Sequence, residues 1–183
     1  MTTTVQHYSL APGNESAYII TGDIEAMWLR DSTNQFIPYI RMPNNCTHMP
    51  ALTRGLLNTQ TDFILIDVYT NAFKKFEISK LLRPSYLNDN SETLIMGIPV
   101  DLCRKREFAT PSIWERKFEI DSPAAFLRLS HEYFTRFKKV DFLNTKYFKA
   151  LRRIISLLAE QTKDTAFEKK MGKNYYTFFR SSS

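Results

Sequence analysis

The 183-residue sequence has few cysteines and no long apolar run. Its two cysteines, Cys46 and Cys103, are too few for a disulfide framework and too sparse for a zinc site, and the sequence leaves open whether they pair. No apolar stretch reaches the roughly 20 residues of a membrane span, and the first five residues resemble no signal peptide. We therefore expect no membrane partner, and the cellular compartment stays open.

Internal repeats, low-complexity tracts and coiled-coil heptads are also absent from the sequence. The chain is 43% hydrophobic, which at this length is enough for one core. A net charge of +6 raises the question of nucleic acid, but the basic residues lie in short runs typical of solvated helix faces, such as 136–139 and 152–153. Because no nucleic-acid-binding motif accompanies them, we expect no nucleic-acid partner, and a nucleic-acid-binding helical domain is the weakest hypothesis.

One short run near the amino terminus combines carboxylates, a guanidinium and an indole. Its chemistry-bearing residues are Asp23, Glu25, Trp28, Arg30 and Asp31. A core helix would carry Leu, Ile or Phe at several of these positions. A sugar site instead needs charged groups that hold hydroxyls through charge-assisted hydrogen bonds, beside an aromatic face that packs on the sugar ring. The run therefore predicts one wall of a carbohydrate-binding site.

The same run is part of a family resemblance. Residues 22–32, Gly-Asp-Ile-Glu-Ala-Met-Trp-Leu-Arg-Asp-Ser, resemble the signature of glycoside hydrolase family 125, the exo-α-1,6-mannosidases. Two further blocks follow in the family's order. Residues 67–73, Asp-Val-Tyr-Thr-Asn-Ala-Phe, resemble its Asp-Pro-Tyr-Ala-Asn-Ala-Phe, and residues 114–122 resemble its Glu-Arg-Lys-Tyr-Glu-Ile-Asp-Ser. With one interruption, the resemblance covers roughly residues 3 to 180.

Hydrophobic periodicity predicts a short amino-terminal hairpin followed by four helices, and hence an all-α class. The hairpin strands are 2–8 and 17–21, and the helices are 31–43, 51–73, 122–137 and 145–161, with Ser122 as N-cap of the third. On the last helix, the predicted buried face is Phe148, Leu151, Ile154, Ile155 and Leu158. Residues 74–113 lack periodicity and are expected to form an irregular insertion.

The segment that precedes the third helix has alternating character. In an extended conformation Glu115, Lys117, Glu119 and Asp121 would line one side, and Trp114, Arg116, Phe118 and Ile120 the other. The charged side is either a solvent-facing edge or the floor of a polar site. The residues alone favour neither alternative.

The family resemblance implies an (α/α)6 barrel of twelve helices in six hairpins. Twelve helices of about 11 residues with connections of about five need on the order of 200 residues. Since about 40 residues here lack periodicity, we expect a partial (α/α)6 barrel. Residues 1–183 would then form an incomplete single glycosidase domain with the insertion at 74–113.

An inverting glycosidase uses two carboxyl groups about 6.5 to 9.5 Å apart. In the family, the proton donor belongs to a later block resembling Arg-Pro-Ser-Asp-Asp, and the base lies nearer the carboxyl end. The sequence here has Arg83-Pro84-Ser85 followed by Tyr86, ahead of the Trp114 block, which we interpret as coincidence. We therefore assign no catalytic residue, metal or cofactor, and we expect the chain to be inactive alone.

The resemblance implies binding roles instead. Arg30 and Asp31 resemble the Trp-Xaa-Arg-Asp element of helical-barrel glycosidases, in which the Arg-Asp pair holds sugar hydroxyls, and Asp23 and Glu25 either share the site or cap the helix start. Asp67 and Asn71, four apart on one predicted helical face, would support the site from behind. The predicted substrate-binding residues are Asp23, Glu25, Trp28, Arg30, Asp31, Glu115, Arg116, Lys117 and Asp121.

The expected function is that of the amino-terminal part of an inverting exo-α-1,6-mannosidase. Its expected partner is an α-mannoside or a mannose-containing glycan, and the oligomeric state stays open. The alternative is a non-catalytic carbohydrate-binding protein or a pseudoenzyme remnant of the same family.

Overall fold

The computed structural model describes residues 5–42, 46–75, 94–95, 98–99 and 112–172. Its strands are β1 Val5–Ser9, β2 Ser16–Ile19, β3 Met27–Trp28, β4 Ala72–Phe73, β5 Leu94–Ile95, β6 Ile98–Pro99 and β7 Ile113–Glu115. Its helices are α1 Leu29–Arg41, α2 Met49–Ile66, α3 Asp121–Phe137, α4 Thr145–Gln161 and α5 Thr165–Met171. The described part is mostly helical, as predicted, although the short α5 was not anticipated. Most of the predicted insertion at 74–113 lies outside these residues.

The amino-terminal hairpin is present and packs on α2. β1 and β2 pair antiparallel, and the connecting turn contains Gly13 at a φ of +79°. β2 crosses α2 so closely at Gly55 that a Cβ there would stand 2.8 Å from the Ser16 carbonyl carbon. The backbone N–H of Ala17 donates to Thr59 Oγ1 at 3.2 Å. The hairpin is thus fixed to the helix by both packing and hydrogen bonding.

A small antiparallel sheet in the order β3-β4-β7 positions the site. Trp28 pairs with Ala72, and Ala72 in turn pairs with Glu115. Each strand comes from a different one of the three family-like blocks. The sheet therefore brings together segments that are more than 40 residues apart in the chain.

The second helix is shorter than predicted. It ends at Ile66, because Asp67 has extended dihedrals (φ −152°, ψ 116°) and its Oδ1 accepts the backbone N–H of Tyr69 at 2.9 Å. A carboxylate that captures a nearby backbone N–H in this way favours a turn over a further helical turn. The prediction that Asp67 and Asn71 share a helical face is therefore wrong.

Helix α3 also begins differently from the prediction. Its first residue is Asp121 and its N-cap is Ile120, so Ser122 lies inside the first turn and is not the cap. The N–H of Ser122 donates to the Glu119 carbonyl at 3.0 Å, which tightens the entry into the helix. The predicted end at Phe137 is confirmed.

Helix α4 has the predicted bounds, and Asn144 caps it by accepting the Tyr147 N–H at 3.0 Å. Its buried face differs from the predicted buried face. Ile154 is buried and Leu151 and Leu158 are partly buried against the core, but Phe148 and Ile155 are exposed. The fully packed positions are Tyr147, Ala150, Ile154 and Leu157.

Aromatic side chains contribute much of the core in the part of the chain that the structure describes. Phe63 and Phe73 stack with ring centroids 4.3 Å apart, which joins α2 to β4. Burial raises the pKa of Tyr18, whose hydroxyl donates to the Phe73 carbonyl at 2.9 Å.

No helix within the described ranges is long and apolar enough to cross a membrane. Cys46 is exposed and free, and Cys103 lies outside the described residues.

Candidate functional site

The site begins where β3 runs directly into α1. Trp28 ends the strand, and Arg30 and Asp31 occupy the first helical turn. The N–H of Leu29 donates to the Asn71 carbonyl at 3.1 Å, which fixes the strand-to-helix junction. The change from strand to helix thus places an indole, a guanidinium and a carboxylate close together.

The other side of the site is β7 and the residues that lead into α3. Arg30 Nη1 donates to Asp121 Oδ2 at 2.8 Å and lies 3.7 Å from Glu119 Oε2. Arg30 also contacts Asp31, with Nη2 and Oδ2 3.3 Å apart. The guanidinium therefore bridges α1 and the start of α3, which are 91 residues apart in the chain.

Two further contacts complete this group. Lys117 Nζ lies 2.9 Å from Glu119 Oε1, and Trp28 Nε1 donates to Glu115 Oε2 at 3.4 Å. We name the group the Arg30 cluster, and its members are Trp28, Arg30, Asp31, Glu115, Lys117, Glu119 and Asp121. The predicted charged side of the alternating segment thus converges on the first turn of α1.

The Arg30 cluster is half-exposed and rich in carboxylates. The exposed fraction of its ion-paired side chains ranges from 23% for Glu119 to 48% for Asp121. Hydrogen bonds to Asp121 and Asp31 raise the pKa of Arg30, and a hydrogen bond to Glu119 raises that of Lys117. Both cations therefore stay charged at neutral pH, and four carboxylates surround them.

Acceptor capacity remains in the cluster. Asp31, Glu119 and Asp121 are 35%, 23% and 48% exposed, although Asp121 Oδ1 is itself buried and has no hydrogen-bond donor among the described residues. Carboxylate oxygens accept several hydrogen bonds each, and hydroxyl groups are suitable donors. The arrangement can therefore bind a polyhydroxylated ligand through charge-assisted hydrogen bonds next to the Trp28 indole.

Arg116 points away from the Arg30 cluster. It forms an ion pair with Asp67, with Nε and Oδ2 2.5 Å apart, and its guanidinium lies 5.3 Å from the Tyr69 ring centre. Burial and a hydrogen bond to Glu160 raise the pKa of Tyr69 to about 12. The strip, which we define as residues 115–121, thus carries Arg116 against the turn that follows α2, apart from the other predicted site residues.

Asp23 and Glu25 lie in the exposed loop between β2 and β3. Their carboxylates form no hydrogen bond or ion pair with any part of the chain that the structure describes. The N-cap of α1 is Trp28, and the acidic residue of its first turn is Asp31. The helix-capping alternative for Asp23 and Glu25 is therefore wrong, and the substrate-binding alternative stays a prediction.

Glu119 was not predicted as a site residue, and Asn71 was given only a supporting place behind the site. Glu119 was on the predicted charged side of the alternating segment, so the signal was present. Asn71 is buried behind the cluster, and its amide donates to Glu115 Oε2 at 2.6 Å. No metal-ligand cluster occurs in the described ranges, and residues 83–86 lie outside them.

On this mostly helical fold, one surface thus carries an indole, a guanidinium and several carboxylates. The sequence model of the metal-independent α-mannosidases (GH125) matches residues 1–183. The chain therefore belongs to glycoside hydrolase family 125.

Two relatives agree with this assignment. The chain is 31% identical to the meiotically up-regulated gene 157 protein of Schizosaccharomyces pombe, over 98% of its own length and 33% of that protein. It also resembles a metal-independent α-mannosidase of Streptococcus pneumoniae, solved in a non-productive complex with α-1,6-mannobiose. That match has a TM-score of 0.61 and 27% identity, over 83% of this chain and 31% of the other. The chain thus spans about a third of the length of these relatives.

Proposed function

We propose that the Arg30 cluster binds the terminal mannose of an α-1,6-linked glycan, as part of an inverting exo-α-1,6-mannosidase. Arg30 and the carboxylates around it hold sugar hydroxyls, and the Trp28 indole packs on the ring. Asp23 and Glu25 extend this surface from the neighbouring loop. The role of Arg116 in this proposal is indirect, because it holds the strip that carries Glu115 and Lys117.

One observation carries the proposal. Arg30 hydrogen-bonds to Asp121 at 2.8 Å and to Asp31 at 3.3 Å on a half-exposed surface. The Arg30 cluster as a whole holds four carboxylates against two cations, Arg30 and Lys117. The excess of carboxylates suits a ligand that donates several hydrogen bonds, and mannose is such a ligand.

We also propose that the helices form part of an (α/α)6 barrel. Three large apolar side chains on α3 and α4 support this: Phe134, Phe148 and Ile155 are 48%, 46% and 57% exposed. In a complete barrel, further hairpins would cover such faces. If the chain is studied alone, it should bind a hydrophobic dye, whereas a chain that binds no dye would argue against an incomplete barrel.

Binding is tested with Trp28 as the probe. The chain has two tryptophans, so a Trp114→Phe variant leaves the Trp28 indole as the sole tryptophan signal. We expect α-1,6-mannobiose to change its fluorescence saturably, and Arg30→Gln to weaken binding at least about tenfold. Arg128→Gln is the matched control, because Arg128 lies on the exposed face of α3 and contacts Asn34. Equal binding by the Arg30 and Arg128 variants would contradict the proposal.

Catalysis is tested separately. Because no catalytic acid or base is assigned in this sequence, this chain should release no mannose from α-1,6-mannobiose above a blank. Mannose release that is lost in Asp31→Ala or Glu25→Gln would instead place a catalytic carboxyl group in this part of the chain. Binding without release is also expected of the alternative, a non-catalytic carbohydrate-binding protein or pseudoenzyme.

A further inference from the structure

Asn71 is 1% exposed, and its backbone and side chain connect the two halves of the Arg30 cluster. Its carbonyl accepts the Leu29 N–H at 3.1 Å, and its own N–H donates to the Glu115 carbonyl at 3.3 Å. Its side-chain Oδ1 accepts the backbone N–H of Lys117 at 3.2 Å. One buried residue thus joins the start of α1 to the strip that follows β7.

The amide nitrogen of Asn71 lies between two carboxylates. Nδ2 donates to Glu115 Oε2 at 2.6 Å and lies 3.4 Å from Glu119 Oε2. Two carboxylates directed at one point repel each other unless a donor lies between them. An amide supplies two donor hydrogens and no net charge, so it satisfies both oxygens.

Both carboxylates also face the ligand side of the cluster. Glu115 Oε2 accepts from the Trp28 indole at 3.4 Å, and Glu119 contacts Lys117 and Arg30. A change in the orientation of Asn71 would therefore be transmitted to the Trp28 indole through Glu115 and to the Arg30 guanidinium through Glu119.

We propose that Asn71 is a positioning residue of the mannose-binding surface, whose amide holds Glu115 and Glu119 in the orientation that faces the sugar. This proposal rests on the proposed function. Asn71 does not touch the ligand and acts through the two carboxylates. Aspartate at this position has the same shape, but it lacks the donors and adds a third negative charge.

An Asn71→Asp variant should therefore acquire a pH dependence. At about pH 7 three carboxylates repel one another, whereas at lower pH a proton shared among them restores a donor. The charged groups around position 71 are Glu115, Lys117 and Glu119, then Arg30, Asp31 and Asp121, with the Asp67–Arg116 ion pair behind the strip.

The Trp28 indole N–H reports this change without a ligand. In a Trp114→Phe chain, its NMR signal should move little between about pH 7 and about pH 5. In the added Asn71→Asp variant, the signal should be displaced at the higher pH and return at the lower. The affinity for α-1,6-mannobiose should fall at least about tenfold at the higher pH and recover at the lower.

Asn58→Asp is the matched control. Asn58 is a partly buried asparagine whose Nδ2 donates to the Glu15 carbonyl at 2.9 Å, and it is remote in the chain from the cluster. This variant should lower the melting temperature but leave the indole signal and the mannobiose affinity unchanged. A general loss of packing would instead change all these measurements in both variants.

A reciprocal variant covers the case in which Asn71→Asp fails to fold at neutral pH. The double variant Asn71→Asp, Glu115→Gln exchanges the amide and the carboxylate, so it restores the charge of the pair and should restore folding at about pH 7. A double variant that stays unfolded would overturn the proposal. So would an Asn71→Asp chain with the parent's indole signal at both pH values. If the parent binds no mannobiose, the proposed function fails, and the indole signal still decides the role of Asn71.

Discussion

Two arginines each join carboxylates from distant parts of the chain, but in different surroundings. Arg54 on α2 binds Glu15 in the hairpin loop and Asp141 in the loop between α3 and α4. The exposed fraction is 21% for Arg54, 4% for Glu15 and 42% for Asp141, against 38% for Arg30 and 48% for Asp121. One arginine is thus part of the packed structure, and the other faces solvent.

The two networks also differ in how completely their groups are satisfied. Asp141 Oδ1 accepts the Tyr133 hydroxyl at 2.8 Å, while Asp121 Oδ1 has no donor within the described ranges. Exposed ion pairs contribute about 0 to 1 kcal/mol to stability, whereas removing one partner of a buried pair costs about 3 to 5 kcal/mol. The Arg54 network therefore contributes more to the stability of the fold than the solvent-facing Arg30 cluster does.

The largest expected effect comes from adding one methyl group at Gly55, where the hairpin that carries Glu15 packs against α2. A Cβ at Gly55 would meet three Ser16 backbone atoms at 2.8 to 2.9 Å, and backbone cannot move aside as a side chain can. Gly55→Ala should therefore push the hairpin from α2 and lower the free energy of unfolding by about 3 kcal/mol. Urea denaturation measures this loss.

Gly22→Ala is the matched control for that substitution. Gly22 is exposed, and a Cβ there would meet nothing within 4 Å. Its effect on the free energy of unfolding should stay within about 0.5 kcal/mol. Equal stabilities of the two variants would show that the hairpin does not depend on its close contact with α2.

A pair of carboxylate substitutions separates the two networks directly. Glu15→Gln should lower the free energy of unfolding by about 1 to 3 kcal/mol, because a buried charge-assisted bond to Arg54 is lost. Asp31→Asn should change it by less than about 0.5 kcal/mol, because its ion pair is exposed, but should weaken mannobiose binding. The prediction is wrong if Asp31→Asn is the more destabilising change in urea.

Lowering the pH should reduce the contribution of the Arg54 network to the stability of the fold. Burial would raise the pKa of Glu15, but the hydrogen bond and charge of Arg54 together with backbone hydrogen bonds outweigh it and lower the pKa below the ordinary value of 4.5. A carboxyl group with a lowered pKa in the folded state stabilises the fold above its unfolded pKa, and this contribution is lost as the pH falls through the folded pKa. Glu15→Gln should therefore flatten the decline of stability below about pH 4.5, measured by urea unfolding at several pH values.

The ion pair between Glu132 and Arg41 should show the same pH effect on stability, but to a smaller extent. A hydrogen bond from Arg41 lowers the pKa of Glu132, but the Arg41 side chain is 58% exposed. Solvent screens such a pair, so Glu132→Gln should flatten the acid decline less than Glu15→Gln does. A larger effect at Glu132 than at Glu15 would contradict the ranking of the two pairs by burial.

The sequence predicted elements with a strong local pattern. Helix α4 was placed correctly because its apolar repeat extends over 17 residues, and the charged side of the 115–121 segment followed from simple alternation. Both signals depend only on neighbouring residues.

The sequence did not predict elements that form only by pairing with residues far away in the chain. β4 has two residues, and it is a strand because it pairs with β3 and β7, which lie about 40 residues away on either side. Its apolar residues continued the periodicity of α2, so the helix was extended too far. For the same reason Asn71 was placed on a helix face, and its position between two carboxylates could not be read from the sequence.

The central claim is that the Arg30 cluster, and not the Arg54 network, meets the sugar. Backbone amide chemical shifts recorded as α-1,6-mannobiose is added test this most directly, with an α-1,4-linked glucose disaccharide as control. We expect changes concentrated at residues 28–31 and 115–121 with mannobiose, and little change at Glu15, Arg54 and Asp141. No saturable change at 28–31 and 115–121, or equal changes with both sugars, would contradict the account.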